Sequence, residues 1–149
     1  MSNVNSDGSE ERPVEVGVGI VLGDAGETGA TYGATAPDKL QILITKRRAG
    51  TAYASYWEFP GGKADPDEPV RACIARELRE ELGVEIEILT VFPPIIHTYD
   101  HATVRVHAAT CRLAPGSPEP RALEVEAWRW CPLSELPWAA FRPANVRLA

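Results

Sequence analysis

Cysteine is scarce in this sequence. Cys73, Cys111 and Cys131 are the three in 149 residues, and no Cys-x-x-Cys pair occurs. That excludes a disulfide scaffold and speaks against a cysteine-rich zinc site. The three read as reduced, mostly buried thiols of a cytosolic, cytoplasmic protein. No apolar run approaches the roughly 18 residues of a membrane span. The first thirteen residues, MSNVNSDGSEERP, lack both a basic start and an apolar stretch, so they do not read as a secretory signal. Cations are in the minority, 15 Lys and Arg against 21 Asp and Glu, for a net charge of −6. That deficit argues against binding long nucleic acid, which wants a basic footprint. A small anionic substrate stays open if cations are concentrated locally or a metal ion is recruited. A hydrophobic share of 44% at this length suits one soluble globular domain with its own core.

Residues 1–13 have almost nothing to bury and read as a mobile tail, leaving 14–149 as a single domain. In Glu15–Leu22, Val16, Val18, Ile20 and Leu22 alternate on one face of a strand. Gly17 and Gly19 fall on the other face, where a second backbone or a ligand can approach. Residues 23–39 read as a long loop, and Leu40–Thr45 as a second strand forming a hairpin with the first. Trp57–Gly62 (WEFPGG) reads as a short extended piece. Pro69–Leu82 is the best helix, with Pro69 at its first position and Gly83 where the chain should leave it. Val70, Ile74, Leu78 and Leu82 form its buried stripe. Residues 84–92, 103–113 and 127–131 read as further strands, and 133–140 and 144–149 as short helical pieces. Strands interleaved with one long helix indicate an α/β or α+β fold with a mixed sheet.

The informative segment is Gly62–Val84, GKADPDEPVRACIARELREELGV. On a helical wheel Glu77, Glu80 and Glu81 share about one quadrant, because residues three and four apart share a face. Like charges so placed repel one another by roughly 0.2–0.5 kcal/mol per pair. Glu81 also falls at the angle of the apolar stripe, where a carboxylate is partly desolvated and needs a partner. Hard divalent cations take oxygen ligands, and Mg²⁺ is held by a few carboxylates with water and phosphates. The face therefore reads as a magnesium site, with Mn²⁺ as a substitute. Alone, such a string is equally a solvated face laced with Arg76 and Arg79.

The surrounding residues narrow this. Gly62–x5–Glu68–x7–Arg76–Glu77–Leu78–Arg79–Glu80–Glu81–Leu82–Gly83–Val84 matches GX5EX7REUXEEXGU at every specified position. A chance match per start site is on the order of 10⁻⁹ at ordinary residue frequencies. The segment resembles the Nudix box. That resemblance implies a mixed, curved sheet sandwiched between helices and hydrolysis of a nucleoside diphosphate linked to another group. It also implies that Glu77, Glu80 and Glu81 are metal ligands or the water-activating base, and that the carbonyl at the Gly61–Gly62 turn is a further ligand. Arg76 is expected to orient Glu77, and Glu68 to support the loop. The physical logic stands beside the name: a diphosphate repels nucleophiles until its charge is neutralised, and one carboxylate must take the proton of the attacking water. Just upstream, Lys46, Arg47, Arg48 and Lys63 face one acid, Glu58. They read as a phosphate-collecting wall or as a solvated strand end.

Residues outside the box bear on the substrate. WEFPGGK (Trp57–Lys63) resembles the approach to the box in MutT-type enzymes, the sanitising pyrophosphohydrolases. The resemblance implies a nucleotide-contacting arginine twelve residues before Phe59, which is Arg47, and an additional acid near the metal, which is Glu124. FRPAN (141–145) resembles the motif whose Asn reads the oxidised base, implying that role for Asn145. An amide offers one donor and one acceptor, matching the O6 acceptor and N7–H donor of 8-oxoguanine. Asn145 as a helix cap is the alternative. Phe59 either flanks the base or belongs to the core. The expected partner is a small nucleotide, with neither long nucleic acid nor membrane, in a monomer or homodimer. 8-Oxo-dGTP leads; dCTP, modified dCTP, broad nucleoside triphosphates and a non-catalytic nucleotide-sensing module are the alternatives.

Overall fold

The structure, a computed structural model, describes residues 13–24, 40–99, 102–137 and 140–141. The N-terminal tail through residue 12, residues 25–39 of the expected loop, the expected helical piece 144–149 and Asn145 lie outside the described residues.

Among the described residues eight strands form one mixed sheet: β1 (Val14–Asp24), β2 (Leu40–Lys46), β3 (Trp57–Glu58), β4 (Gly61–Lys63), β5 (Ile86–Val91), β6 (Ile95–Tyr99), β7 (Ala102–Leu113) and β8 (Ala127–Pro132). Helix α1 (Val70–Leu82) lies between β4 and β5 in the chain. β1 is the central strand. It runs parallel to β7 from Val14↔Val104 to Val21↔Cys111. Its other edge is shared: β4 takes Val16–Val18 and β2 takes Leu22–Asp24, both antiparallel. The expected β1–β2 hairpin pairing is therefore present.

The alternation in β1 separates two cores. Val18, Ile42, Ile44, Phe59, Val106, Leu136 and Phe141 pack on one face, with Val16, Ile20 and Leu22 against them. Val21, Leu43, Ala109 and Cys111 pack on the other, under Ile74, Leu78 and Leu82 of α1. Gly17 and Gly19 admit that helix, rather than a second backbone or a ligand. A Cβ at Gly17 would lie 2.9 Å from both Cys73 Sγ and an Ile74 carbon. All three cysteines are free and buried. Burial pushes the Cys73 thiol up to about 11 and the Cys111 thiol up to about 12, so both stay protonated.

Four expectations are corrected. The strand over 84–92 is shorter, Ile86–Val91, with an irregularity between Ile88 and Thr90. β6 has no counterpart in the sequence reading; it follows Pro93–Pro94 and pairs with the start of β7. The helix over 133–140 reduces to a 3-10 turn, Leu133–Glu135, after which Leu136 is extended at ψ 131°. Pro137 biases the residue before it away from helical dihedrals. The extended piece at Trp57–Gly62 is split into β3 and β4 at Phe59–Pro60.

Candidate metal and phosphate site

Helix α1 starts after Pro69 and stops at Gly83, whose φ of 69° is left-handed and whose N–H closes on the Arg79 carbonyl. Cys73, Ile74, Leu78 and Leu82 are its buried face. Anchoring that face turns Glu77 and Glu81 toward the Gly61–Gly62 turn. Both glycines are required by close approach. A Cβ at Gly61 would sit 2.1 Å from the Gly17 carbonyl oxygen, and one at Gly62 would sit 2.5 Å from the Glu77 carboxyl carbon. The Gly61 N–H donates to Glu81 Oε2 at 3.3 Å, and the Gly62 carbonyl accepts from the Cys73 thiol at 3.5 Å.

Arg76 organises the outer half of the site. Its Nε and Nη2 grip the two oxygens of Glu68 at 2.8 and 2.9 Å, and Nη2 also donates to the Lys63 carbonyl. Its Nη1 reaches Glu77 Oε1 at 3.0 Å and Glu80 Oε2 at 3.1 Å. Glu68 in turn accepts the Asp65 N–H, closing the loop before the helix. The guanidinium holds Glu68 down to about 2, and Glu68 and Glu77 hold the arginine protonated. Lys63 is exposed at the end of β4.

Glu124 arrives from another part of the chain. The segment before β8 caps the C-terminus of α1: Arg121 N–H donates to the Leu82 carbonyl, and the Leu123 and Glu124 N–H groups to that of Glu81. This brings the negative charge of Glu124 to bear on Glu77.

The electrostatics are those of crowded acids. Glu77 is pushed up first by burial and further by Glu80 and Glu124, against the pull of Arg76. Glu81 is pushed well up, again first by burial, then by Glu58 and Glu77; the Gly61 N–H and Arg47 offset part of this. Among the described residues no preformed cage of three His, Cys, Asp or Glu side chains closes on one point. The oxygen-only donor set, two desolvated carboxylates and unrelieved like charge nevertheless fit a hard divalent cation. A cleft of about 280 Å³ beside the start of α1, reached by Glu15, Cys73 and His107, is lined by none of Glu77, Glu80 and Glu81.

The residues expected to meet the nucleoside are less concentrated. Arg47 is ion-paired to Glu58 at 3.1 Å. Glu58 is buried at 7% exposure beside Glu81 and was not singled out from the sequence as a site residue. Its one sequence signal is that it is the acid within the basic stretch. Phe59 is a core residue, edge-on to Phe141 at 5.0 Å between ring centres. On the same sheet face the Arg129 guanidinium lies over the Trp57 ring, 5.0 Å from its centre. No helix among the described residues is long and apolar enough to cross a membrane.

Comparison with known proteins agrees with this geometry. The NUDIX domain family model matches residues 29–148. The CTP pyrophosphohydrolase of Escherichia coli K12 is 33% identical over 108 residues, covering 72% of this chain and 78% of that one. The 8-oxo-dGTP diphosphatase of the same organism is 30% identical over 105 residues, covering 70% and 80%. The crystal structure of a MutT NUDIX hydrolase from Burkholderia pseudomallei superposes with a TM-score of 0.66 at 27% identity, covering 93% of this chain and 95% of that one. The box, the fold and these matches agree: the chain belongs to the NUDIX domain family and is a pyrophosphohydrolase of the MutT type.

Proposed function

We propose that residues 14–149 form one catalytic domain that hydrolyses nucleoside triphosphates with Mg²⁺ or Mn²⁺, preferring 8-oxo-dGTP and yielding 8-oxo-dGMP and pyrophosphate. The observation that carries the chemistry is the convergence of Glu77 and Glu81 on Gly61–Gly62, both with raised proton affinity. Glu77, Glu80, Glu81 and Glu124 would hold the cation, with a carbonyl of Gly61 or Gly62. A bound cation neutralises phosphate oxygens and lowers the pKa of water. Arg76 keeps Glu77 and Glu80 aimed inward, and Glu68 keeps Arg76 in place. One of the carboxylates takes the proton as water oxygen bonds the β-phosphorus. The bond from that phosphorus to the α–β bridging oxygen breaks, and the monophosphate leaves. Lys63 and Arg47 lie on the substrate side, Phe59 backs the base, and Asn145 reads it through its paired donor and acceptor.

A second reading, CTP or dCTP as substrate, is favoured by the identity to the E. coli CTP pyrophosphohydrolase. Asn145 favours the first, since an acid would serve the cytosine N4 donor better. A panel of nucleotides assayed for pyrophosphate release with and without Mg²⁺ separates them. The highest kcat/KM falls on 8-oxo-dGTP, and chelator removes turnover. A CTP or dCTP optimum transfers the conclusion to the second reading, and turnover in excess chelator refutes the metal site.

A further inference from the structure

Arg47 is already committed inside the protein. Its Nη1 donates to both oxygens of Glu58, at 3.1 and 3.4 Å, and its Nε to the Ala52 carbonyl at 2.6 Å. Nη2 has no acceptor among the described residues. Both partners are sheltered: the Arg47 side chain is 20% exposed and that of Glu58 9%. Strand pairing brings them together, because Thr45 pairs with Glu58 and Arg47 follows Lys46 at the end of β2. The loop between the strands closes on the same arginine. The Arg47 N–H donates to the Tyr56 carbonyl and the Ser55 N–H to the Arg47 carbonyl, with Tyr53 and Ser55 both left-handed at φ 57° and 68°.

This geometry has an electrostatic consequence. A guanidinium matched by a buried carboxylate 3.1 Å away presents little net positive charge to a third group, and at Glu81 the carboxylate outweighs it. Such a pair is a poor collector of phosphate, though its remaining N–H edge still donates hydrogen bonds. A carboxylate beside the path of a triphosphate would itself repel the chain unless a cation covered it. Glu58 is covered by Arg47.

We propose that Glu58 is a positioning residue for substrate choice: it locks Arg47 and cancels its charge, so that Arg47 hydrogen-bonds an uncharged acceptor of the nucleoside rather than a phosphate. This rests on the reading that Arg47 meets the nucleotide. The acceptor is a sugar oxygen or a base carbonyl, and phosphate recognition falls to the carboxylate-held cation and the Gly61–Gly62 turn.

The test compares 8-oxo-dGTP turnover with inhibition by inorganic triphosphate and by ribose 5-triphosphate, which has a sugar and no base. The proteins are wild type, Arg47→Ala, Glu58→Gln and the double variant, each checked by thermal melting. Arg47→Ala raises KM for 8-oxo-dGTP about tenfold, the scale of one charge-assisted hydrogen bond, with little change in kcat. The uncovered Glu58 raises the Ki of inorganic triphosphate in this variant, and the Ki returns to the wild-type value in the double variant, which lacks both charges. Glu58→Gln unmasks the cation: inorganic triphosphate binds more tightly, and the ratio of its Ki to the nucleotide KM falls about tenfold. The tightening of inorganic triphosphate vanishes in the double variant while the raised nucleotide KM persists, which a merely structural role for Glu58 does not produce. Weaker ribose 5-triphosphate binding by the double variant places the acceptor on the sugar, and unchanged binding places it on the base. A rise in triphosphate Ki that matches the rise in nucleotide KM and persists in the double variant overturns the proposal; should Glu58→Gln fail to fold, a parallel rise of both constants in Arg47→Lys, which keeps a cation over Glu58, overturns it instead. An unchanged ratio in folded Glu58→Gln also overturns it. If Arg47→Ala changes no constant while wild type turns nucleotides over, the inference fails and the proposed reaction survives. If wild type hydrolyses no nucleotide, the reaction itself fails.

Discussion

Replacing Glu81 by Gln should stabilise the metal-free protein and abolish most of its activity. The carboxylate is desolvated and feels Glu58 and Glu77, which outweigh the Gly61 N–H and Arg47. Its charge is thus a net cost to the fold when no cation is bound. A Gln side chain keeps the shape and still accepts the Gly61 N–H, now 3.3 Å from Oε2, while the repulsion is removed. Single substitutions that relieve a strained functional site commonly add about 0.5–2 kcal/mol. For 149 residues each kcal/mol moves Tm by about 2–4 °C, so the metal-free variant should melt roughly 1–8 °C higher. Losing a group that supports transition-state charge costs about 10²–10³ in kcat. The assay is paired: melting in chelator, and pyrophosphate release in Mg²⁺. Wild type should gain Tm on adding Mg²⁺, and the variant should gain less, because a ligand that binds only the folded state stabilises by mass action. A lower Tm for Glu81→Gln in chelator would show that burial and repulsion do not govern this carboxylate. Turnover near wild type would show that Glu81 is not in the metal wall.

Gly62→Ala should lower activity while the fold persists, because its Cβ would meet the Glu77 carboxyl at 2.5 Å and push it off the turn; the check is kcat beside an unchanged circular dichroism spectrum. Gly17→Ala should instead destabilise by about 1–3 kcal/mol through overpacking, since its Cβ would meet Cys73 and Ile74; urea unfolding measures it. Glu68 is held down to about 2 by Arg76, so its contribution to stability is complete above the unfolded carboxylate value and is lost as pH falls from about 4.5 toward 2. Glu68→Gln should flatten the acid limb of a Tm-against-pH curve, and an unaltered limb would deny the ion pair that role. Asn145→Ala should lower kcat/KM for 8-oxo-dGTP by roughly ten- to a hundredfold and for dGTP by less; an unchanged ratio of the two makes Asn145 a helix cap only.

The parts legible in the sequence are those where one period dominates. The α1 stripe at i+4, with Pro69 before it and Gly83 after it, announces a helix whose bounds in the structure differ by one residue. β1 and β2 follow from alternation. β6 escapes because Ile95–Tyr99, IIHTY, is short and directly follows two prolines, so no alternation has room to show. Within the described residues, the expected helix at 133–140 stops at Leu136, which Pro137 biases toward extended dihedrals. In the site, spacing on one helix predicts that Glu77, Glu80 and Glu81 share a face. Spacing does not predict Glu58, because its place beside Arg47 is set by the β2–β3 pairing. Lys46–Arg48 read as a phosphate-collecting wall for the same reason: charge counts ignore which cation is already matched.

The two cores bear on why the box points to diphosphate hydrolysis and not to a particular base. Helix α1 and its carboxylates pack against the face of Val21, Leu43, Ala109 and Cys111. Trp57, Phe59 and Phe141 lie on the opposite face with Val18 and Ile44. The chain crosses between these surroundings at Pro60–Gly62, where β4 is pressed so tightly onto β1 that no Cβ fits at Gly61. On the proposed function, a nucleotide spanning this turn would place its diphosphate against one set of residues and its nucleoside against another. Substitutions on that second face should then add to those at the carboxylates, because the two sets pack on opposite faces of the sheet. The Arg47–Glu58 pair is the described exception, because Glu58 faces Arg47 on one side and Glu81 on the other. A substitution at Glu58 should therefore be felt at the Glu81 carboxylate as well as at Arg47.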